Sequence, residues 1–202
     1  MVEYKKGSEV RKSDFPVDSI FLDRWSPRAM SSEDLTDEEL MTLFEAARWA
    51  PSSNNEQPWR FVYAKKRTSS FDKFFDILVE FNKMWAKNAA VLVFLIAKKT
   101  FTKSGESNRN HMSDAGAAWE NLALQGSLKG YVVHGMAGYD VEKARKELKI
   151  PEDYEVVHVF AIGKPAEKEV LHERMQKSES PNDRKPIKEF IFEGKFGNDE
   201  EN

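Results

Sequence analysis

The nine residues AAVLVFLIA, at positions 89–97, form the longest apolar run of the chain. The run is too short to cross a membrane as a helix, which takes about 20 apolar residues. Polar and apolar side chains do not alternate in it, so a strand formed here would be buried on both faces. Such strands are typical of sheets that helices cover on both sides. The run therefore predicts a central strand in a domain that mixes helices and strands.

Helices and further strands are predicted on both sides of this run. Thr36 and Glu39 form a capping box at the start of one helix, and Pro51 ends that helix. Apolar spacing, caps and breakers place the remaining elements. The strands are predicted over 59–64, 131–138 and 154–163, and the other helices over 70–86, 114–130 and 141–150. The pattern indicates one α+β domain without an internal boundary.

Two details of this prediction concern apolar side chains. The helix over 70–86 is expected to bury one side, which carries Phe74, Ile77, Leu78 and Phe81. The phenylalanines of EFIFEGKF (189–196) are expected to dock, within the chain or onto a partner subunit, because apolar surface is unfavourable in water. The predicted organisation is an arm over 1–20 that is only partly tied down, a domain over 21–197 and a disordered tail over 198–202.

The composition excludes several classes of function. A formal net charge of -3, with acids and bases interspersed, argues against a nucleic-acid surface. The chain has no cysteine, so disulfides, thiolate nucleophiles and Cys-bound metals are excluded. Its four histidines do not stand at metal-ligand spacing, and no metal site is expected. The charged N-terminus carries no secretory signal, which predicts a soluble cytoplasmic protein without a membrane span.

Two polar stretches could bind a ligand. In DRWSPR (23–28), Arg24, Ser26 and Arg28 alternate, so in an extended segment their side chains point the same way. Two guanidinium groups and a hydroxyl suit a phosphate, although a solvated basic patch is the alternative. The short side chains of APSSNNEQPW (50–59) suit the polar edge of a flat heterocycle. They suit equally a capped turn in which they bond their own backbone.

A third stretch, HGMAG (134–138), ends a strand with small residues. Glycine lets another group approach the main chain, so a backbone N–H could face a ligand there, and a tight turn is the alternative. The chain has no G-x-G-x-x-G after a strand, no P-loop and no G-x-S-x-G elbow. A Rossmann-type dinucleotide site is therefore not indicated.

Six segments, taken together, resemble the nitroreductase family of FMN-dependent NAD(P)H oxidoreductases. They run in the family's order from about Phe21 to Gly197, and they are RWSPR, ARWAPSSNNEQPWRF, FNKMWAKNAAVLVF, DAGAAWENLALQ, HGMAGYD and DRKPIKEFIFEGKFG. The resemblance implies an α+β fold with a central mixed sheet flanked by helices. It also implies a homodimer with FMN at the subunit interface.

The resemblance further implies which residues contact FMN. The RWSPR segment and a late arginine match phosphate and flavin-edge contacts, the loop at 51–55 matches the cover that a partner subunit lays on the flavin ring, and the turn at 135–138 matches a backbone contact to the reactive nitrogen. The implied residues are Arg24, Trp25, Ser26, Arg28, Pro51, Ser52, Ser53, Asn55, Asn82, Gly135, Met136, Ala137, Gly138 and Arg184. Ala137 stands where some relatives carry an acidic residue, so only a backbone contact is implied at that position.

The resemblance implies a ping-pong mechanism. Hydride passes from NADH or NADPH to FMN, and electrons then pass to a flat acceptor such as a nitroaromatic or a quinone in the same site. No side chain is expected to be catalytic, because the cofactor carries the chemistry. A flavin-binding protein without turnover, a store or a sensor, would carry the same residues and is the alternative. The residues do not distinguish NADH from NADPH.

Overall fold

A four-stranded sheet forms the centre of the computed structural model, which describes residues 2–197. The strands are β1 (Trp59–Lys65), β2 (Val91–Lys98), β3 (Val132–Met136) and β4 (Tyr154–Gly163). They lie in the order β1-β2-β4-β3, and each neighbouring pair is antiparallel. The α+β class is confirmed. The pairing among the described residues is antiparallel throughout, whereas the resemblance implied a mixed sheet.

The apolar run at 89–97 supplies β2, which lies between β1 and β4. Residues 91–97 of this strand are all buried. Leu92 and Phe94 face one half of the core, and Val93 and Leu95 face the other half. The prediction of a strand buried on both faces is therefore confirmed.

Helices cover both faces of the sheet. They are α1 (Ser19–Asp23), α2 (Asp37–Arg48), α3 (Ser69–Ile77), α4 (Glu80–Ala86), α5 (His111–Leu128), α6 (Val141–Glu147) and α7 (Glu173–Gln176). Leu43 of α2 and Leu122 of α5 pack with β2 on one face. Phe74 of α3, Trp85 of α4 and Ala144 of α6 pack on the other. Within residues 2–197, no helix has both the length and the apolar character that a membrane crossing requires.

The predicted helix over 70–86 is two helices, because residues 78–79 are extended between α3 and α4. The Val79 N–H donates to the Gly138 carbonyl across 3.1 Å, and Leu78 pairs with Tyr139. This bond to a distant turn replaces a helical one. The break rotates α4, so Phe81 is 50% exposed and its predicted burial is wrong.

The capping box of α2 is confirmed. The Glu39 N–H donates to Thr36 Oγ1 across 3.1 Å, and the Thr36 N–H donates to Glu39 Oε2 across 2.6 Å. The helix ends at Arg48, three residues before Pro51.

The two ends of the chain differ in how they are held. Residues 4–11 contact the segment at 22–26, whereas residues 12–19 are exposed. The phenylalanines near the C-terminus remain exposed in this chain, with Phe196 at 91%. They therefore do not dock within the described residues of one chain, and docking onto a partner subunit stays a prediction. Met1 and the predicted tail over 198–202 lie outside those residues.

Candidate functional site

A cavity of ≈ 390 Å³ collects four arginines from both ends of the chain. Its lining residues are Arg11, Arg24, Trp25, Ser26, Arg28, His134, Ser178, Ser180, Asn182 and Arg184. None of the acidic residues within 2–197 belongs to this lining. Guanidinium groups and hydroxyls around one space can bind an anion, because both donate hydrogen bonds to oxygen anions.

The RWSPR segment delivers its side chains to this cavity because its backbone is extended. Helix α1 ends at Asp23, and Arg24 already has φ -66° and ψ 121°. The Trp25 indole is 8% exposed, and its Nε1–H donates to the Lys5 carbonyl across 2.7 Å. The Arg24 guanidinium donates to Ser26 Oγ across 3.3 Å. The predicted grouping of Arg24, Ser26 and Arg28 is therefore present.

Two carboxylates hold the arginines from outside the cavity. Arg24 Nε lies 3.4 Å from Glu120 Oε1, and burial raises the pKa of Glu120 while Arg24 opposes that rise. Arg28 Nη1 lies 3.7 Å from Glu179 Oε2. The other oxygen of Glu179 accepts the backbone N–H groups of Arg28 and Ala29 at 2.6 and 2.8 Å. Glu179 thereby fastens the RWSPR segment to the C-terminal part of the chain.

Arg184 reaches the cavity from that C-terminal part. The charged segment at 167–182 includes α7 and buries Leu171 and Met175 against the core. The exposed Arg184 guanidinium donates to Asn182 Oδ1 across 3.0 Å. No carboxylate among residues 2–197 forms an ion pair with Arg184, which leaves its charge available to a ligand.

His134 forms part of the cavity wall and carries no charge at neutral pH. Its Nδ1 lies 2.8 Å from the Pro27 carbonyl, and its ring centroid lies 4.5 Å from that of Trp85. Burial lowers the pKa of His134 to about 4. The positive charge of the cavity therefore comes from its arginines.

The loop at 51–55 does not line the arginine cavity within one chain. Residues 53–55 form a short 3₁₀ turn in which Asn54 and Asn55 have positive φ. The Ser53 N–H donates to Asp114 Oδ2 across 3.1 Å, and Ser52 Oγ accepts the Gln57 N–H across 3.0 Å. Pro51 is exposed. Part of the polar content of this loop thus serves its own backbone, as the capped-turn interpretation predicted.

The turn at 135–138 and Asn82 come together at another place. Asn82 Nδ2–H donates to the Gly138 carbonyl across 2.9 Å. A Cβ added at Gly138 would lie 2.7 Å from Val79 Cγ2 and 2.8 Å from Asn82 Nδ2. Met136 is buried and Ala137 is exposed. Gly138 is therefore required by close packing.

Gly135 packs under an aromatic ring. A Cβ added there would lie 3.2 Å from Trp119, whose ring meets His158 edge-on at 5.1 Å between centroids. Neither Gly135 nor the rest of the turn lines the arginine cavity.

The sequence did not predict three residues that hold the arginine cavity and the loop at 51–55 in position. Arg11, Asp114 and Glu179 are buried or nearly so, and each bonds to backbone groups of a distant segment. Such bonds leave no periodic signal. These residues are unusual in being both charged and buried, but burial cannot be read from a sequence.

The pattern of the "Nitroreductase family" matches residues 22–164 of the chain. The chain belongs to the nitroreductase family. A relative from Archaeoglobus fulgidus, named "Putative NADH dehydrogenase/NAD(P)H nitroreductase", is 29% identical over 154 residues. That match spans 74% of this chain and 86% of the relative.

Solved structures of the family share the fold. One, described as an "oxidoreductase containing FMN", is 42% identical in sequence, with a TM-score of 0.88. The match covers 92% of this chain and 96% of the chain of that structure. A nitroreductase family protein from Clostridium difficile is 18% identical, with a TM-score of 0.65. That match covers 86% of this chain and 95% of the other chain. The second likeness is one of fold alone.

Proposed function

We propose that this nitroreductase-family chain is an FMN-dependent oxidoreductase that passes electrons from NAD(P)H to a flat acceptor, such as a nitroaromatic or a quinone. FMN is supported by the 42%-identical structure, which is described as containing it. The nicotinamide donor is supported by the name of the Archaeoglobus relative. The proposed mechanism is ping-pong, in which one site receives the donor first and the acceptor after the oxidised donor has left.

The observation that carries this proposal is the arginine cavity. A phosphate monoester carries nearly two negative charges at neutral pH and accepts several hydrogen bonds. Arg24, Arg28 and Arg184 supply guanidinium groups, and Ser26 supplies a hydroxyl, around a space that no acidic residue of the described part of the chain lines. This donor set fits the phosphate of FMN because guanidinium forks match phosphate oxygens.

The roles of the chain's own residues follow from this assignment. When bound, FMN supplies the hydride and electron chemistry. The arginines bind and orient its phosphate, and their positive charge favours an anionic ligand in the site. The contact between Asn82 and Gly138 holds the turn that presents backbone groups toward the flavin. No side chain is assigned a proton-transfer step.

The proposal includes a homodimer, because the loop at 51–55 lies away from the arginine cavity of its own chain. In the dimer this loop would cover the flavin that its partner holds, with Asp114 keeping Ser53 in place. A cytoplasmic location belongs to the same proposal. Sedimentation of the flavin-loaded protein tests the assembly, and a monomer that retained FMN tightly would contradict a shared site.

The deciding experiment is an absorbance spectrum of the purified protein, recorded before and after anaerobic addition of NADH or NADPH. We expect a flavin spectrum that one of the two donors bleaches and that a quinone restores. Colourless protein that takes up no added FMN would overturn the proposal. Bound FMN that neither donor reduces would instead identify a store or sensor.

A further inference from the structure

The N-terminal arm reaches the arginine cavity although it precedes the family match, which begins at residue 22. Arg11 lines the cavity beside Arg24 and Arg184. The arm therefore adds a guanidinium to a site whose other arginines come from the RWSPR segment and the C-terminal part.

Arg11 joins the two segments that carry the other arginines. Its Nη1 donates to the Leu22 and Arg24 carbonyls at 2.9 and 2.8 Å. Its Nε donates to the Asn182 carbonyl at 2.7 Å, and its Nη2 donates to Asn182 Oδ1 at 3.2 Å. A planar guanidinium can make these bonds at once because its donors point in fixed, divergent directions.

The charge of Arg11 has no carboxylate partner among residues 2–197, because all four of its acceptors are neutral oxygens. The residue is only 8% exposed. Burial lowers the pKa of Arg11, and the charges of Arg184 and Arg24 lower it further, against weaker opposite effects of Tyr4 and Asp183. A buried cation beside other cations is costly unless an anion joins it.

Contacts along the arm hold Arg11 in this place. The Tyr4 hydroxyl donates to the Trp25 carbonyl across 3.1 Å and accepts the Trp25 N–H across 3.0 Å. A Cβ added at Gly7 would lie 1.9 Å from the Leu22 carbonyl oxygen and 3.0 Å from Arg11 Nη1. Only glycine allows the arm to approach this closely.

We propose that Arg11 is a positioning residue for FMN: it sets the spacing between Arg24 and Arg184, and its unpaired charge makes the cavity select a phosphorylated flavin over riboflavin. This inference rests on the proposed function, since it concerns the phosphate of the same cofactor. It extends the site into a part of the chain that the family match does not include.

The test compares FMN with riboflavin, which has the same ring and no phosphate. Flavin-free protein is titrated with each flavin, and binding is followed by quenching of flavin fluorescence. The variants are Arg11→Gln, which removes the charge, and Arg11→Lys, which keeps the charge but cannot join both segments. Lys12→Gln is the control because it removes one positive charge at the neighbouring exposed position.

We expect native protein and Lys12→Gln to prefer FMN to the same degree. In Arg11→Gln the preference should fall at least about tenfold, which is about 1.4 kcal/mol, while riboflavin affinity stays near the native value. Arg11→Lys should recover part of the preference. Since damage to the fold would weaken both flavins alike, the ratio separates positioning from structural loss.

Two results would overturn different statements. Native protein that binds FMN no more tightly than riboflavin would contradict the phosphate site itself, and with it the observation under the proposed function. Native protein that prefers FMN, together with an Arg11→Gln variant of unchanged preference, would overturn the role of Arg11 alone. If Arg11→Gln does not fold, an Arg11→Lys variant with the full native preference would count against the proposed spacing role.

Discussion

Ser53 and Asp114 join the loop at 51–55 to the first turn of α5, through an N–H to carboxylate bond of 3.1 Å. Asp114 is 9% exposed, so the bond is shielded from water. This carboxylate also lies near the positive end of the α5 dipole, where a negative charge is stabilised. The loop that is proposed to cover a flavin is therefore fastened to the longest helix of the chain.

Replacement of Asp114 should loosen that loop. We expect Asp114→Ala to lower the free energy of unfolding by about 1–3 kcal/mol, because it removes a charged acceptor from a partly buried N–H. Hydrogen exchange at the Ser53 amide should accelerate with it. Glu142→Ala is the matched control, since Glu142 is an exposed carboxylate in the first turn of α6. Unchanged exchange at Ser53 would contradict the anchoring role.

Two glycine substitutions should have opposite effects. Gly138→Ala introduces a Cβ within 3.0 Å of Val79 and Asn82, and we expect it to destabilise the protein by about 1–3 kcal/mol. Gly116→Ala meets no atom within 4 Å in α5 and should stabilise it by about 0.5–1 kcal/mol. Urea denaturation measures both. A Gly138→Ala variant as stable as the native chain would refute the close packing of the turn.

Arg184 allows a test of the phosphate site with little risk to the fold, because within residues 2–197 its guanidinium donates hydrogen bonds only to its neighbours Asn182 and Asp183. Arg184→Gln should weaken FMN binding about ten- to a hundredfold, since a charge-assisted bond to phosphate is lost. Lys185→Gln is the control at the next exposed position. Equal FMN affinity in the two variants would remove Arg184 from the site.

His158 should make stability depend on pH. Burial lowers its pKa to about 4, and its Nε2 has no hydrogen-bond partner among the described residues. The unfolded histidine has a pKa of about 6.5, so its protonation favours unfolding. The stability from the neutral ring is complete above about pH 6.5 and is lost as the pH falls toward about 4.

A His158→Phe variant tests this effect because phenylalanine does not titrate. Urea denaturation is measured at about pH 7 and about pH 5, and the variant should lose about 1–2 kcal/mol less stability than the native chain. Other acid-sensitive groups are common to both proteins and cancel in the comparison. Equal losses would show that His158 does not keep its depressed pKa.

Sequence patterns predicted the elements whose cause is local. The strand at 91–98 follows from a run of apolar residues, and the start of α2 follows from Thr36 and Glu39 three positions apart. The break at 78–79 could not be predicted in this way. It depends on the Gly138 carbonyl, which only the folded chain brings to Val79.

The same distinction between local patterns and long-range contacts applies to the candidate site. Alternation in RWSPR predicted that Arg24, Ser26 and Arg28 share one direction, and they line one cavity. The link to Arg184 came from family resemblance, since no local pattern joins the two ends of a chain. Arg11 was missed because three of its four hydrogen bonds go to backbone carbonyl oxygens, which every residue carries.

The approach of Gly7 to the Leu22 carbonyl bears on how this protein is shortened for laboratory use. A version cut at its N-terminus to where the family match begins would start at Leu22, against whose carbonyl oxygen Gly7 packs. It would keep Arg24, Arg28 and Arg184 but lose Arg11, which is proposed to set the spacing between Arg24 and Arg184. Fragments and fusions intended to retain cofactor should therefore preserve the first dozen residues.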